Sequence, residues 1–415
     1  MLSDACFLWE LKKIWRLWIL LATAAVLVLG YFLFVENQLV WLDYEEEKGW
    51  AEVEYTTAKT WLERYGPTLE EDERKDAEKD WEAVVDELDT FIASTPEFAA
   101  AGIFDHNDWD DYRNTAGKFS GMDWQSQEWQ EQMDVLDNLL FFENETNLGF
   151  RYQDMQSLYY SYDTRNEPFE RYGDENAVKL AWYERVDRFK EQDALRGLMP
   201  SSIVRNLQML FTYLIILPVL GIFLLLAPYP VRDRTQNLHS VLWTSRTGRR
   251  LPLYQLGAAL LSAFGLTTVV LAPCIIRLFQ SSMAVFLHCP VMGFMSDFYV
   301  FGNLTLLQWI VCGILLCYVV SLGTAAWVFW VSQCSKSYVP MLLKQLLLFV
   351  PLVVLAFYLA GSNLADSPYI FYPIGSLGYL TRIPGAELLV SGILLFFGVA
   401  VCLFYVWRQK KRELL

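Results

Sequence analysis

The chain has 415 residues, is 54% hydrophobic and 20% charged, and carries a formal net charge of −15. The charge is uneven: residues 36–203 hold 41 acidic and 16 basic side chains, a balance of −25, whereas the remainder holds 7 acidic and 17 basic, a balance of +10. An acidic polar block inserted into a basic, apolar remainder excludes a single soluble domain. It also excludes a nucleic-acid binder, because the basic residues are not gathered on a folded polar module.

The first predicted element is Ile14–Phe34, an apolar run preceded by Lys12, Lys13 and Arg16. About 20 apolar residues suffice to cross a bilayer. The run is long for a signal-peptide core, and Phe34-Val35-Glu36 is no small-residue cleavage site, so it is expected to be an uncleaved anchor. Further spans are predicted at Leu207–Ala227, Tyr254–Ile276, Leu304–Val331, Pro340–Ala360 and Leu388–Trp407, six in all. The stretches Phe279–Gly302 and Asn363–Pro384 are moderately apolar and broken by Gly and Pro, so they are candidates to dip into the membrane without crossing. Such non-helical backbone is tolerated at depth only under a cover of protein or water.

Basic residues mark the cytoplasmic side. With the N-terminus inside, the inside segments collect Lys12, Lys13, Arg16, Arg232, Arg234, Arg246, Arg249, Arg250, Lys336, Arg408, Lys410, Lys411 and Arg412, which is 13 of the 17 basic residues beyond the acidic block. An N-in/C-in arrangement follows, and it makes the acidic block extracytoplasmic.

Within that block the apolar residues repeat at helical spacing. Trp81, Val84, Val85, Leu88, Phe91 and Ile92 share one face; so do Trp129, Met133, Leu136 and Leu140, then Met155, Leu158, Tyr159 and Tyr162, then Val178, Trp182, Val186 and Phe189. Thr68 with Glu71 three residues on is a capping-box signature ahead of the first face. The aromatic stripes serve either helix packing or a ligand-binding face. The acidic faces serve either solvation and repulsion from anionic headgroups or attraction of a cationic or peptide ligand. Asp105–Asp111 faintly resembles a calcium loop but places Trp109 and Asp110 where an EF-hand needs a ligand and a glycine. Asn144-Glu145-Thr146 is a formal glycosylation sequon.

Most chemistry is missing. No GxxxxGK[ST] loop is present to hold nucleotide, and no GxSxG or HExxH occurs. The seven cysteines form no CxxC pair, and the three histidines are far apart, so neither a disulfide framework nor a zinc site is expected. The chain itself is expected to hold no cofactor, metal or catalytic residue. The spans lack mid-depth Asp or Glu, which weakens a proton- or sodium-driven transporter. Their polar residues (Gln208, Thr212, Ser262, Thr267, Thr268, Gln308, Ser321 and Thr324) either bond between helices or line a translocation route.

The most informative segment is 229–252, after the second span. Leu238, Val241, Leu242 and Ser245 follow helical spacing, Gly248 ends the run, and Arg249-Arg250 follows. As bare physics this is an interfacial helix with a basic end, which juxtamembrane anchoring to membrane lipid would explain. The segment also resembles the first cytoplasmic loop of ABC-2-type permeases, the membrane subunits of many bacterial ABC exporters. The resemblance rests on Asp233, Leu238, Leu242, Thr244-Ser245, Gly248-Arg249 and Leu251. Leu8–Lys13 (LWELKK) is similar to that family's N-terminal interfacial helix, and six spans with both ends inside also fit. The likeness is strongest to Gram-positive members with a large extracytoplasmic insertion between the first two spans. Two positions depart from it: Asn237-Leu238 stands where Gly-Thr is common, and Gln255 where Lys is common. The acidic block is outside the resemblance.

The resemblance implies a separate ABC ATP-binding subunit, which holds the ATP and Mg, and a second permease chain forming a homo- or heterodimer. It implies docking through a coupling helix, with Asp233, Leu238, Leu242, Trp243, Ser245, Arg249 and Arg250 as the contact residues. The sequence thus reads as an all-α polytopic membrane protein with six N-in/C-in transmembrane helices and a mainly helical extracytoplasmic domain. Its parts are 1–35 (interfacial helix and first span), 36–203 (acidic domain) and 204–415 (five spans). The function expected is export of an amphipathic or peptide-like substrate, with a plasma-membrane location in a Gram-positive bacterium. The alternative is a non-transporting signalling or mechanical module that senses an extracytoplasmic ligand or envelope partner. No catalytic constellation supports a membrane enzyme.

Overall fold

A computed structural model describes residues 2–43, 50–118, 127–144, 146–164, 194–236, 251–295, 304–360 and 385–412. It is 86% helical, and no strand occurs among the described residues. The protein is an all-α polytopic membrane protein. Six helices are long and apolar enough to cross a membrane: Leu17–Trp41, Ser201–Thr235, Leu251–Gln280, Leu306–Gln333, Tyr338–Ala360 and Ala386–Arg408. All six predicted runs fall on them. Only a helix satisfies its own backbone hydrogen bonds in lipid without a closed barrel, so apolar length alone fixes these elements.

We name α1 Leu2–Ile14 and α2 Leu17–Trp41, the first span, which passes through a π-helical turn at Tyr31–Val35. The polar domain contributes α3 Trp50–Tyr65, α4 Glu71–Ser94, α5 His106–Lys118, α6 Gln127–Asp137 and α7 Leu148–Asp163. The second span is α8 Ser201–Leu226, continued by α9 Pro228–Thr235. The remaining spans are α10 Leu251–Gln280, α11 Leu306–Gln333, α12 Tyr338–Ala360 and α13 Ala386–Arg412.

The second span is the axis of the bundle. Of its apolar window 72% is buried, against 17% for the first span and 22% for each of the last two. It packs on α2, α10, α11 and α12. Gly313 lets α11 approach it closely, because a Cβ there would lie 2.6 Å from the Phe211 ring. Span polarity follows several physical rules. Thr305 caps α11 and exchanges hydrogen bonds with Gln308, so Gln308 closes a helix end rather than lining a route. Thr212 and Thr267 bond back to carbonyls on their own helices. Ser262 accepts from the Trp15 indole at 2.8 Å, tying α10 to the break between α1 and α2, and Thr268 meets the Tyr318 hydroxyl at 2.9 Å, joining α10 to α11.

In the polar domain, Ala77, Val84, Leu88 and Ile92 of α4 are buried against Leu148, Tyr152, Met155, Leu158 and Tyr162 of α7, both at helical spacing. One expectation is corrected. The capping box sits at Glu70 and Glu73, where the Glu73 carboxylate accepts from the Glu70 N–H at 2.7 Å. Thr68 instead lies in extended backbone that pairs with Gly197. Residues 105–111 start α5, with the Asp105 carboxylate accepting from the Asp108 N–H at 2.9 Å. Asp110 accepts from Tyr152 at 2.8 Å and from Gln156 at 2.5 Å, so these carboxylates are committed to the fold rather than to a calcium loop. The helical face at Val178–Phe189 lies outside the described residues.

The stretch after α10 is the first candidate for a membrane dip. Its described part, through residue 295, seats against the polar domain. Tyr55 donates to the Ser282 carbonyl at 3.0 Å, Tyr55 and Phe286 meet edge-on, and so do Tyr162 and Phe294. The backbone at Gly293 touches the backbone at Gly197, where the chain returns from the domain to α8. A Cβ on Gly293 would stand 2.0 Å from the Gly197 carbonyl oxygen. The segment 363–384 lies outside the described residues.

That contact is backbone against backbone and cannot yield by rotating a side chain. Gly293→Ala is therefore expected to lower stability by about 1–3 kcal/mol, the usual range for overpacking. Gly392→Ala, inside α13 with nothing within 4 Å of its added Cβ, is expected to keep stability or raise it by up to about 1 kcal/mol. Thermal unfolding in detergent, followed by tryptophan fluorescence, compares the two.

Candidate functional site: a buried polar knot at the base of the spans

Apolar helices in lipid gain little from burying apolar faces against each other, so polar contacts set their mutual positions. The described polar contacts concentrate at one end of the bundle. There α1 breaks at Trp15-Arg16 and hands over to the first span, and α9 completes the second.

Glu10 is fully buried, and Lys13 and Asp233 are 8% and 7% exposed. The Lys13 ammonium lies 2.9 Å from Glu10 Oε1 and 3.0 Å from Asp233 Oδ2, bridging two helices 220 residues apart in sequence. It also sits 4.0 Å over the Trp9 ring. Gln255, at the head of the third span, donates to both carboxylates, at 3.4 Å to Glu10 and 3.3 Å to Asp233. The Tyr229 hydroxyl donates to Glu10. Arg232 donates to the Lys13 carbonyl at 2.7 Å. The carboxylates of Glu10 and Asp233 and the cations of Lys13 and Arg232, closed by the neutral donors Tyr229 and Gln255, meet the condition under which buried charge is tolerated.

The network continues outward through Gln333, Arg234 and Ser332. Gln333, ending the fourth span, donates to the Gln255 carbonyl oxygen at 3.1 Å. Arg234 donates to Gln333 at 3.1 Å, to the Ser335 carbonyl at 2.9 Å and to the Tyr405 hydroxyl of α13 at 2.9 Å. Ser332 donates to the Ala227 carbonyl at 2.9 Å and accepts from Gln345 of α12 at 2.8 Å. Thus α1, α9, α10, α11, α12 and α13 meet in one polar knot, with the end of the second span at its centre. The start of α1 and the end of α13 lie on the same side of the bundle.

Of the residues chosen from the sequence, Asp233 is at the heart of this knot. Leu238, Leu242, Trp243, Ser245, Arg249 and Arg250 lie outside the described residues. The reading from sequence missed Glu10, Lys13, Tyr229, Arg234, Gln333 and Tyr405. A signal existed for Glu10 and Lys13, since a Glu-x-x-Lys pair just before an apolar span is costly to bury without partners. Gln255 was noted only as a departure from a family pattern. The structure gives it a role, because the knot already has its cation in Lys13 and needs a neutral donor beside it.

Among the described residues no group of three or more His, Cys, Asp or Glu side chains could hold a metal ion. Comparison with models of protein families, with curated proteins and with solved structures finds no match.

Removing one member of a buried charge group strands the others, at a cost of about 3–5 kcal/mol. Lys13→Met is expected to destabilise the protein by that amount. Adding Gln255→Lys to it supplies a cation within reach of both carboxylates and should recover most of the loss. A double variant no more stable than Lys13→Met alone, by thermal unfolding, would contradict the placement of Gln255 between Glu10 and Asp233.

Proposed function

We propose that the chain is the membrane-spanning permease subunit of an ATP-driven ABC exporter, working with a separate ATP-binding subunit and a second permease chain. The observation that carries this reading is the polar knot. It ties α1 and four spans to the end of α9, at the point where the chain enters the segment that resembles a coupling helix. A push delivered to residues 237–250 has a direct covalent path into Asp233 and Arg234, and from there into α1, α10, α11 and α13.

In this reading the basic end of the bundle is cytoplasmic, in the plasma membrane of a Gram-positive bacterium, and the acidic domain is outside. Leu238, Leu242 and Trp243 fill a groove on the ATP-binding subunit, and Ser245, Arg249 and Arg250 fix their register. Asp233 acts one step inward, holding α9 to Lys13 so that the displaced segment moves the spans rather than swinging freely. ATP and Mg belong to the partner subunit, and the absent P-loop fits that division of labour. The substrate class is amphipathic or peptide-like, drawn toward a domain whose net charge is −25 over residues 36–203.

A second reading is a mechanical or signalling module without transport. It draws on the contacts of Glu54, Tyr55 and Gly197 that seat the polar domain on the spans, because they connect an external binding event to the bundle. A neighbouring gene for an ATP-binding subunit favours the first reading, and one for a kinase or cell-wall hydrolase the second.

The first reading predicts that the tagged chain, solubilised from its own membrane, recovers an ATP-binding subunit. It also predicts that Leu242→Ala with Arg249→Ala weakens docking by about 2 kcal/mol or more, as loss of interface anchors does. ATPase activity of the reconstituted complex should lose its stimulation accordingly. Unchanged stimulation removes these residues from the interface. Protease added to intact cells should cut within 36–203, and full protection there overturns the orientation.

A further inference from the structure

The second span is gripped at its other end too, by a carboxyl group from the polar domain that has a second carboxyl group on a packed helix. Glu54 of α3 is 4% exposed. Its Oε1 accepts from the Ser201 N–H at 2.7 Å and its Oε2 from the Ser202 N–H at 3.3 Å. These are the first amides of α8, where an anion is favoured by unpaired N–H groups and the helix dipole. Asp154 comes from α7, which packs on α3. Its Oδ2 is buried and has no hydrogen-bond partner, a costly position for a charged oxygen.

Among the described residues, no cation acts on Asp154. Several charges on the elements packed around it are committed elsewhere. On α4, Arg74 pairs with Asp163, Glu87 with Arg151, and Asp89 with His106, while Glu78 faces Tyr159. On α5, Asp110 accepts from Tyr152 and Gln156. Arg205, one turn into α8, is exposed. Among the described residues, Glu54 is the charged group that acts on Asp154.

We propose that Glu54 and Asp154 together hold one proton, and that this singly protonated pair locks the polar domain onto the start of the second span, as a pH-sensitive joint. In the locked state Glu54 is ionised and caps α8, and Asp154 is neutral. Burial, then the Glu54 charge, pushes the Asp154 carboxyl up to about 8. The neutral form is thus the one the fold favours: its stabilisation is complete below the ordinary carboxylate range and is lost as pH rises through that value. Above it, a second buried anion acts on Glu54 and drives α7 away from α3, which carries the cap of α8. Burial also raises Glu54, partly offset by its bonds from Ser201 and Ser202. On acidification Glu54 takes up the proton and the cap loses its charge. The joint therefore loosens on both sides of a window, as coupled carboxyl pairs titrate.

Hydrogen exchange of the peptide covering residues 198–205, measured by mass spectrometry on the full-length protein in nanodiscs, reads the joint directly. Asp154→Asn imitates the neutral carboxyl. Wild type and Asp154→Asn should exchange alike near neutral pH, and at pH about 9 wild type should exchange about tenfold faster, the effect of one pKa unit of coupling. A wild-type to Asp154→Asn ratio that does not change with pH overturns the proposal. Glu54→Gln removes the anionic cap and the charge acting on Asp154. It should speed exchange at neutral pH and lower the pH at which the infrared band of the protonated Asp154 carboxyl disappears. An unmoved midpoint, or neutral-pH exchange as slow as wild type, would equally overturn it. Neither readout depends on an ATP-binding subunit.

Discussion

The bundle depends on one ion, the Lys13 ammonium held between Glu10 and Asp233. Apolar helices in lipid can slide and rotate against one another at small cost, because lipid tails replace apolar neighbours well. A buried ammonium between two buried carboxylates cannot, since shifting one helix by a turn leaves a bare charge. Lys13 therefore fixes α1 against α9, and Gln255 extends that register to α10. From Gln255 the chain of donors and acceptors runs through Gln333 to Arg234 and Tyr405. Every span except the first enters it directly, and the first is joined covalently through α1.

How far the sequence disclosed this arrangement depends on the range of each interaction. The spans were legible because a run of apolar residues needs no partner to declare itself. Predicted and observed spans overlap throughout, and their ends differ where a local device intervenes, as at the Thr305 cap of α11. The faces of α4 and α7 were legible for a similar reason, since Val84, Leu88 and Ile92 repeat within one helix. Long-range pairing was not legible. Nothing within the LWELKK segment says that Glu10 and Lys13 will meet Asp233, because the pairing exists only once α1 folds back along α10. Thr68 misled for the same reason: its capping signature is local, but its backbone is taken by Gly197 from the far end of the domain.

Glycine shows the same division between local and distant causes. Gly293 reads in the sequence as one of several breaks in a moderately apolar stretch, which suggested a membrane dip. Its function is set by Gly197, nearly a hundred residues earlier, against whose carbonyl any side chain would collide. The close backbone contact turns the stretch toward the polar domain, where Tyr55 and Tyr162 hold it.

The second span is thus fixed at both ends by acidic side chains of different kinds. At the base, Asp233 is paired with a lysine inside a closed network, so a cation balances its charge. At the top, Glu54 accepts from the Ser201 and Ser202 N–H groups, with Asp154 on the packed helix α7 and, among the described residues, no cation acting on either carboxyl group. Equal burial with unequal compensation makes one end a rigid anchor and the other a titratable one. A helix anchored at its base and released at its top can tilt within the bundle without losing register with α1. A shaft that couples an event on one side of the membrane to a response on the other has the same mechanical requirement, whether the event is ATP-driven closure beneath or a change in the domain above.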